Sequence, residues 1–311
     1  MVESLKPDVV TLDVEMPRMN GITALKHIMV RHCVPTVMIS ALTTEGARAT
    51  FDALKYGAID VIAKPSRRDD ESLDAQKADI VAKVRRAAAI RTGRSRYLRM
   101  PPAEPLPLKT RGELPDEFTR IVGIGTATGG YSALLRIVPA LPIGFEDIIV
   151  AVILVPRKYL EPFAVYLEAH SHVPVRMARY SAPLEKGVCY LSSGADRIVV
   201  QTKADGSLSF GISESQPDQE TGAINEMFTS LVPFGRRAVG VVLTGAGNDG
   251  AQGLAELRGA GALTVVQSIN NCLDPQMPLA ALEKGSVSKI LPDFLMAEFF
   301  EKLRDKEHKS N

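Results

Sequence analysis

Two glycine-rich loops hold the residues best placed to do chemistry. The first, Gly125-Thr126-Ala127-Thr128-Gly129, follows an apolar run and precedes a helical pattern. Its spacing is that of a nucleophile elbow, G-x-S-x-G, in which a sharp strand-to-helix turn presents a serine hydroxyl to an acyl carbon. Here the hydroxyl position holds Ala127, and a methyl group cannot attack an acyl carbon. A dinucleotide fingerprint, G-x-G-x-x-G, does not fit, because Thr128 stands where the third glycine belongs. The second loop, Leu243-Thr-Gly-Ala-Gly-Asn-Asp-Gly250, puts Asp249 at the expected start of a helix. A carboxylate there can act as an N-cap by accepting a backbone N–H. The histidines are His27, His32, His170, His172 and His308. His170 and His172 close the helix that follows residue 154, roughly 15–20 Å along it at about 1.5 Å per residue, and are expected at the surface. Thr126 and Thr128 flank the elbow but point away from the nucleophile position, with no base in view.

These loops need a scaffold that delivers them to one place. Strand patterns over residues 8–14, 36–40 and 61–63 alternate with helical patterns over 23–32, 45–55 and 73–90. In the last of these, Leu73, Ile80, Val81, Val84, Ala87 and Ala88 recur at helical spacing. Further on, strands over 120–125, 148–155, 238–243 and 263–266 alternate with helices over 132–138, 160–170, 227–232, 254–257 and 295–303. Residues 185–215 read as a β-rich insertion punctuated by glycine and serine. Alternating strands and helices give a parallel α/β class, and in such sheets ligands sit outside the carboxyl ends of the strands. The run 148–155 is the longest apolar stretch, too short to span a bilayer and suited to a buried parallel strand.

Between the two sets of elements the pattern fails. Residues 91–118 carry Gly93, Pro101, Pro102, Pro105, Pro107, Gly112 and Pro115, a linker composition. The expected organisation is therefore a domain over 1–92, a linker over 93–118 and a second domain over 119–306. From Arg85 to Arg111 there are eight basic residues and one acidic residue, Glu104. A solvated helix end and linker account for this run better than a nucleic-acid patch does.

Composition narrows the function classes. With 311 residues, 45% apolar and 23% charged, the chain is globular and long enough for two domains. Lys and Arg number 37 against 36 Asp and Glu, a net charge of +1, so no global field draws nucleic acid or membrane. There is no Trp, and aromatics make up 5%, too few for a base-stacking platform. Cys33, Cys189 and Cys272 are widely spaced, odd in number and without a C-x-x-C pair. That excludes a disulfide framework or zinc site and fits a reducing cytoplasm. The first residues lack the apolar core of a signal peptide.

The second domain resembles the catalytic domain of the chemotaxis response-regulator methylesterases, the CheB family. The resemblance rests on Ile124-Gly-Thr-Ala-Thr-Gly-Gly130, on Leu243-Thr-Gly-Ala-Gly-Asn-Asp-Gly250, on Met277-Pro278 and on Phe228, and runs from about Val122 to Leu303. It implies a doubly wound α/β domain with a β-hairpin insertion. It also implies a protein-glutamate methylesterase that deamidates receptor glutamines, with a Ser-His-Asp triad and no cofactor. Residue by residue, the serine position is Ala127, the histidine position is Leu154 ahead of Val155-Pro156, and the aspartate is Asp249. Other positions depart as well: Tyr190-Leu-Ser-Ser-Gly194 stands where the family carries Ala-Pro-Gly, and Ala223 and Asn225 replace a serine and an aspartate. Losing nucleophile or base costs on the order of 10⁶ in kcat, or about 8 kcal/mol of barrier. The implied protein is an inactive homologue that binds methyl-accepting chemoreceptors or the chemotaxis histidine kinase. A methylesterase with another nucleophile and a nonfunctional remnant stay open beside it.

Residues 1–90 resemble the carboxyl part of a phosphoacceptor receiver domain, through Pro7-Asp-Val-Val-Thr-Leu-Asp-Val-Glu-Met-Pro-Arg-Met-Asn-Gly21. The resemblance places the phosphoacceptor at Asp13, the hydroxyl switch residue at Ser40 and the phosphate-pairing lysine at Lys64. A complete receiver is flavodoxin-like, with strand order 2-1-3-4-5, and the match begins just before its third strand. The acidic pair that holds Mg²⁺ lies in the part without a counterpart, so the expectation is weak phosphorylation and an unpaired sheet edge.

Overall fold

The computed structural model describes residues 2–40, 44–64, 73–90, 120–213 and 222–308. The chain divides into two compact units, Met1–Pro102 and Ala103–Asn311. The expected linker, 93–118, lies outside the described residues, as does Pro65.

Unit 1 runs α1 (Val2–Leu5), β1 (Val10–Asp13), α2 (Gly21–Arg31), β2 (Thr36–Ser40), α3 (Thr44–Lys55), β3 (Asp60–Ala63) and α4 (Leu73–Ala89). Its strands form a parallel sheet in the order β1-β2-β3. Asn20 starts α2 by accepting the Thr23 N–H at 2.9 Å, the expected role of a short polar side chain at an N-cap. Leu25, Met29, Val37, Met38, Phe51, Leu54, Val61 and Ile62 fill the core. β2 is central and almost wholly buried, whereas Thr11 of β1 is exposed and the outer edge of β1 is unpaired among the described residues.

Helix α4 corrects the sequence reading. Val81 and Ala88 face solvent, while Gln76, Lys83, Ala87 and Ile90 are buried. Lys83 can occupy the inner face because its ammonium donates to the Val61 carbonyl at 2.9 Å while its alkyl stem packs.

Unit 2 runs β4 (Ile121–Thr126), α5 (Gly130–Ile137), β5 (Ile148–Ile153), α6 (Arg157–Glu168), β6 (Val175–Met177), β7 (Cys189–Ser193), β8 (Ile198–Thr202), β9 (Leu208–Ile212) and α7 (Ala223–Ser230). It continues with β10 (Ala238–Val242), α8 (Ala251–Gly259), β11 (Leu263–Gln267), α9 (Gln276–Glu283), β12 (Lys289–Leu291) and α10 (Met296–His308). Among the described residues seven strands form one sheet in the order β12-β11-β10-β4-β5-β7-β6, every pair parallel. β8 and β9 form the separate antiparallel hairpin expected of the insertion. The sequence pattern missed β6, α9 and β12. The two strands are only three residues long, too short to show a period, and both are sheet edges, where short strands limit exposed hydrogen-bonding groups.

β4, β5 and β10 are buried along their whole length, which is why they read as continuous apolar runs. Gly125 in β4 lets α7 lie close to the sheet: a Cβ there would sit 2.2 Å from Ile224 Cγ2. The three cysteines are buried and form no disulfide. Burial pushes the Cys189 thiol up to about 12, so it stays protonated and unreactive.

Candidate functional site

The sheet extends from β4 in two directions, through β5 and β7 on one side and β10, β11 and β12 on the other. The crevice beside β4 is the switch point where open α/β sheets bind ligands. Three loops meet there. Thr126 pairs with Ile153 across β4 and β5, so the next residues, Ala127 and Leu154, leave the sheet side by side. The Leu154 N–H donates to Thr126 O at 2.9 Å, and the Ala127 N–H donates to Thr244 O at 3.1 Å. A tight turn follows, with Gly130 N–H on Ala127 O at 2.9 Å and Gly129 at φ +84°, a left-handed conformation that glycine adopts without strain. The strand-turn-helix elbow is therefore formed, with a methyl group at its tip.

Leu154 and Ala127 are half-buried and pack on the core of unit 2. A Cβ on Gly194 would stand 2.7 Å from Leu154 Cδ2, so the leucine branch uses the space that glycine leaves. Gly245 approaches just as closely: its Cβ would meet Met277 Sδ at 2.1 Å and Ala127 Cβ at 2.9 Å. The neighbouring threonine is engaged elsewhere. The Thr126 hydroxyl, fully buried, donates to Thr244 O at 2.7 Å.

Asp249 is buried, but it does not cap its own helix. Gly250 occupies the N-cap of α8 at φ +90°, without a side-chain cap. Asp249 instead accepts the N–H groups of Ile224 at 3.1 Å and Asn225 at 3.0 Å, in the first turn of α7, and that of Gly250 at 2.8 Å. It is a cap donated across the fold to another helix. The negative carboxylate also suits the positive end of α7. Asn225 returns the link, its Oδ1 accepting Gly253 N–H of α8 at 2.9 Å.

Charged side chains beside these loops are paired with one another. Arg157, three residues beyond Leu154, meets Glu161 at 3.3 Å and Asp196 at 3.4 Å. The other Asp196 oxygen accepts Ser193 N–H at 3.1 Å. The Arg197 guanidinium forks onto both oxygens of Glu226 on α7. The sequence reading missed this set, and it missed Thr244 as a hub. The Thr244 N–H donates to Gln267 Oε1 at 2.9 Å, and its hydroxyl lies 2.9 Å from Thr128 O and 3.1 Å from Asp274 O. Only the quoted loop motif pointed to Thr244; nothing in sequence pointed to Gln267. His170 and His172 are exposed, and the His170 ring lies 2.8 Å from Tyr166 O.

In unit 1, Asp13 ends β1, and Lys64 follows β3. Lys64 Nζ lies 2.7 Å from Asp13 Oδ2, and the Glu15 N–H donates to Asp13 Oδ1 at 3.1 Å. The lysine hydrogen bond, chiefly, holds the Asp13 carboxyl below its ordinary value. Ser40 is buried at the end of β2, its carbonyl accepting the Lys64 N–H at 2.8 Å. Mg²⁺ demands a near-octahedral set of oxygen ligands. Among the described residues no group of three or more carboxylate, histidine or cysteine side chains could hold a metal, and Lys64 already occupies one Asp13 oxygen. Among the described residues, protein side chains alone do not complete that set.

Fold and site together define a parallel α/β unit with a strand-turn-helix elbow at its switch point, joined to a smaller unit with a strand-end aspartate–lysine pair. Residues 122–300 match the CheB methylesterase family, and residues 1–75 match the response regulator receiver domain. A protein-glutamate methylesterase/protein-glutamine glutaminase of Pyrococcus horikoshii is 39% identical over 94% of this chain and 79% of its own length. Another of the same name, from Symbiobacterium thermophilum, is 35% identical over 96% of this chain and 84% of its own length. The crystal structure of the Thermotoga maritima CheB methylesterase catalytic domain superposes with a TM-score of 0.56, at 24% identity, covering 60% of this chain and 98% of that one; it supports the fold. This chain belongs to the CheB methylesterase family and carries a response regulator receiver domain. No helix among the described residues is long and apolar enough to cross a membrane.

Proposed function

We propose that this chain is a non-hydrolysing member of the family that engages the glutamate and glutamine side chains of methyl-accepting chemoreceptors in the cytoplasm, with a receiver unit addressed by the chemotaxis histidine kinase. One observation carries the reading. Ala127 and Leu154 leave adjacent strands side by side at the switch point, where the resemblance requires a hydroxyl and an imidazole. Two methyl-bearing side chains can neither attack an ester carbon nor accept the proton of an attacking group. The Thr126 hydroxyl is committed to a buried carbonyl, and His170 and His172 face solvent, so none of these three side chains supplies a replacement. Asp249, the remaining triad position, acts here as a buried cap for α7.

In the receiver unit, Asp13 is the phosphoacceptor in this reading, Lys64 the cation that pairs with the phosphoryl charge and Ser40 the hydroxyl switch. The 2.7 Å contact between Lys64 and Asp13 supports it. No phosphoryl-transfer step is assigned to this chain.

The test is methanol release from methylated receptor membranes, with receptor binding measured in parallel. The expected result is binding without methanol. Methanol release by the unaltered chain would overturn the proposal and point to another nucleophile; absence of binding by the folded chain would leave a nonfunctional remnant as the reading.

A further inference from the structure

We propose that unit 1 holds a binding site for a small amphipathic cation, an apolar body carrying a primary ammonium. The site is a cavity of about 540 Å³ between the loop that follows β1, the first turn of α2 and Ala49 of α3. That volume lies within the range of small-ligand pockets, about 300–1,000 Å³. The inference concerns unit 1 alone and does not depend on what unit 2 binds.

The loop wall of the cavity is fixed by its own backbone. The Gly21 N–H donates to Val14 O at 2.9 Å, which closes the loop onto the end of β1. A Cβ at Gly21 would stand 2.0 Å from Asp13 O, so only glycine permits this approach. Within the loop, the Met19 N–H donates to Pro17 O at 2.9 Å around Arg18, whose φ is +69°. Such a three-residue turn is strained for a residue with a side chain and persists only where its surroundings hold it. The Asn20 side chain is fixed as well, because its Oδ1 accepts the Thr23 N–H at 2.9 Å and so turns its Nδ2 into the remaining free donor.

The lining sets the ligand's chemistry. Val14, Met16, Pro17, Ile22 and Ala49 are apolar and suit an apolar body; Glu15 and Asn20 are the polar residues among them. Among the described residues no cationic side chain pairs with the Glu15 carboxylate. Asp13 next to it is already balanced by Lys64 at 2.7 Å, and Arg18, on the same loop, does not line the cavity. The charge that faces the cavity is therefore one carboxylate, which attracts an ammonium and repels an anion. An anion would find one donor there, Asn20 Nδ2, set against that repulsion. Glu15 is exposed, so its ion pair adds only a small preference, and contact with the apolar wall supplies most of the affinity.

The experiment follows the backbone amide NMR signals of the full chain as three probes of similar shape are added: phenylbutylammonium, phenylbutanol and phenylbutyrate. Phenylbutylammonium is expected to bind saturably with a Kd of about 1 mM or tighter, with the largest shifts at Val14, Glu15, Ile22 and Ala49. Phenylbutanol should bind about three- to fivefold more weakly, and phenylbutyrate more weakly again. Glu15→Gln, at an exposed position, should bring the ammonium and the alcohol to the same affinity. Ala49→Phe, which fills the cavity, should abolish binding of both. Absence of saturation by phenylbutylammonium, or shifts centred away from these residues, would overturn the inference. So would phenylbutyrate binding as tightly as the ammonium, an ammonium preference that survives Glu15→Gln, or undiminished binding to Ala49→Phe.

Discussion

In unit 1, a three-stranded sheet with a half-exposed outer strand carries a charged pair, Asp13 and Lys64, 2.7 Å apart. In unit 2, a seven-stranded sheet with fully buried central strands carries Ala127 and Leu154 where, in the proposed reading, hydrolysis would need polar groups. The smaller, less enclosed unit sets a charged pair at its strand ends, whereas the larger, better enclosed unit sets two apolar side chains at the ends of β4 and β5. Scaffold and chemistry are thus separable in one chain. A core depends on many apolar positions, each tolerant of similar replacements, whereas a triad depends on a few atoms with no substitutes.

The sharpest way to break this contrast is to restore the missing groups. If the scaffold of unit 2 has kept its cleft, the double change Ala127→Ser, Leu154→His should raise methanol release by up to about 10⁶-fold, and either change alone should do little, because triad members act as a unit. A double revertant without activity would mean that the cleft has drifted along with its residues.

A second test asks whether Asp249 has become structural. Asp249→Ala leaves the Ile224 and Asn225 N–H groups without their acceptor. Urea unfolding should show a loss of about 1–3 kcal/mol, with receptor binding retained wherever the chain stays folded. A stable variant would return Asp249 to the category of idle catalytic relic.

Close packing of unit 2 can be probed at Gly125. A methyl there would stand 2.2 Å from Ile224 Cγ2, so Gly125→Ala should cost about 1–3 kcal/mol through overpacking, read as a lowered Tm. The same helix end is anchored by Asp249, and the two effects should not add.

The smallest effect belongs to unit 1. Asp13 is depressed chiefly by its hydrogen bond from Lys64. Its folded value lies below its unfolded value, so the contribution to stability is present above the unfolded value and is lost as pH falls through the folded one. Lys64→Met should raise the Asp13 titration midpoint in a carboxyl-detected NMR experiment and flatten that acid limb. With the Asp13 side chain 33% exposed, the change in stability should stay below about 1 kcal/mol. An unmoved midpoint would mean that the pair does not set the charge of this site.

Much of the fold was legible because it is locally encoded. The apolar run over 148–155 held a buried parallel strand over 148–153, and the glycines of the elbow marked a turn by their own backbone chemistry. Helix α4 was legible in extent but not in orientation. Its inner face includes Gln76 and Lys83, which pattern reading assigns to solvent, because the Val61 carbonyl offers the ammonium a partner. The short edge strands β6 and β12 carried too few residues for any period.

The sequence by itself determined which side chains stand at the tip of the elbow and at the end of β5. Ala127 at the tip of an elbow has no hydroxyl in any fold, and Leu154 has no imidazole. Tertiary structure decided what the remaining groups do. It brought Ala127 and Leu154 together through the register of β4 on β5, and it turned Asp249 from the helix it precedes to the open N–H groups of α7. It also paired Arg157 with Asp196 and Arg197 with Glu226, over separations of 39 and 29 residues. Side-chain identity fixes which bonds are available, but competition among distant partners for buried donors and acceptors fixes which ones form, and only the folded chain settles that competition.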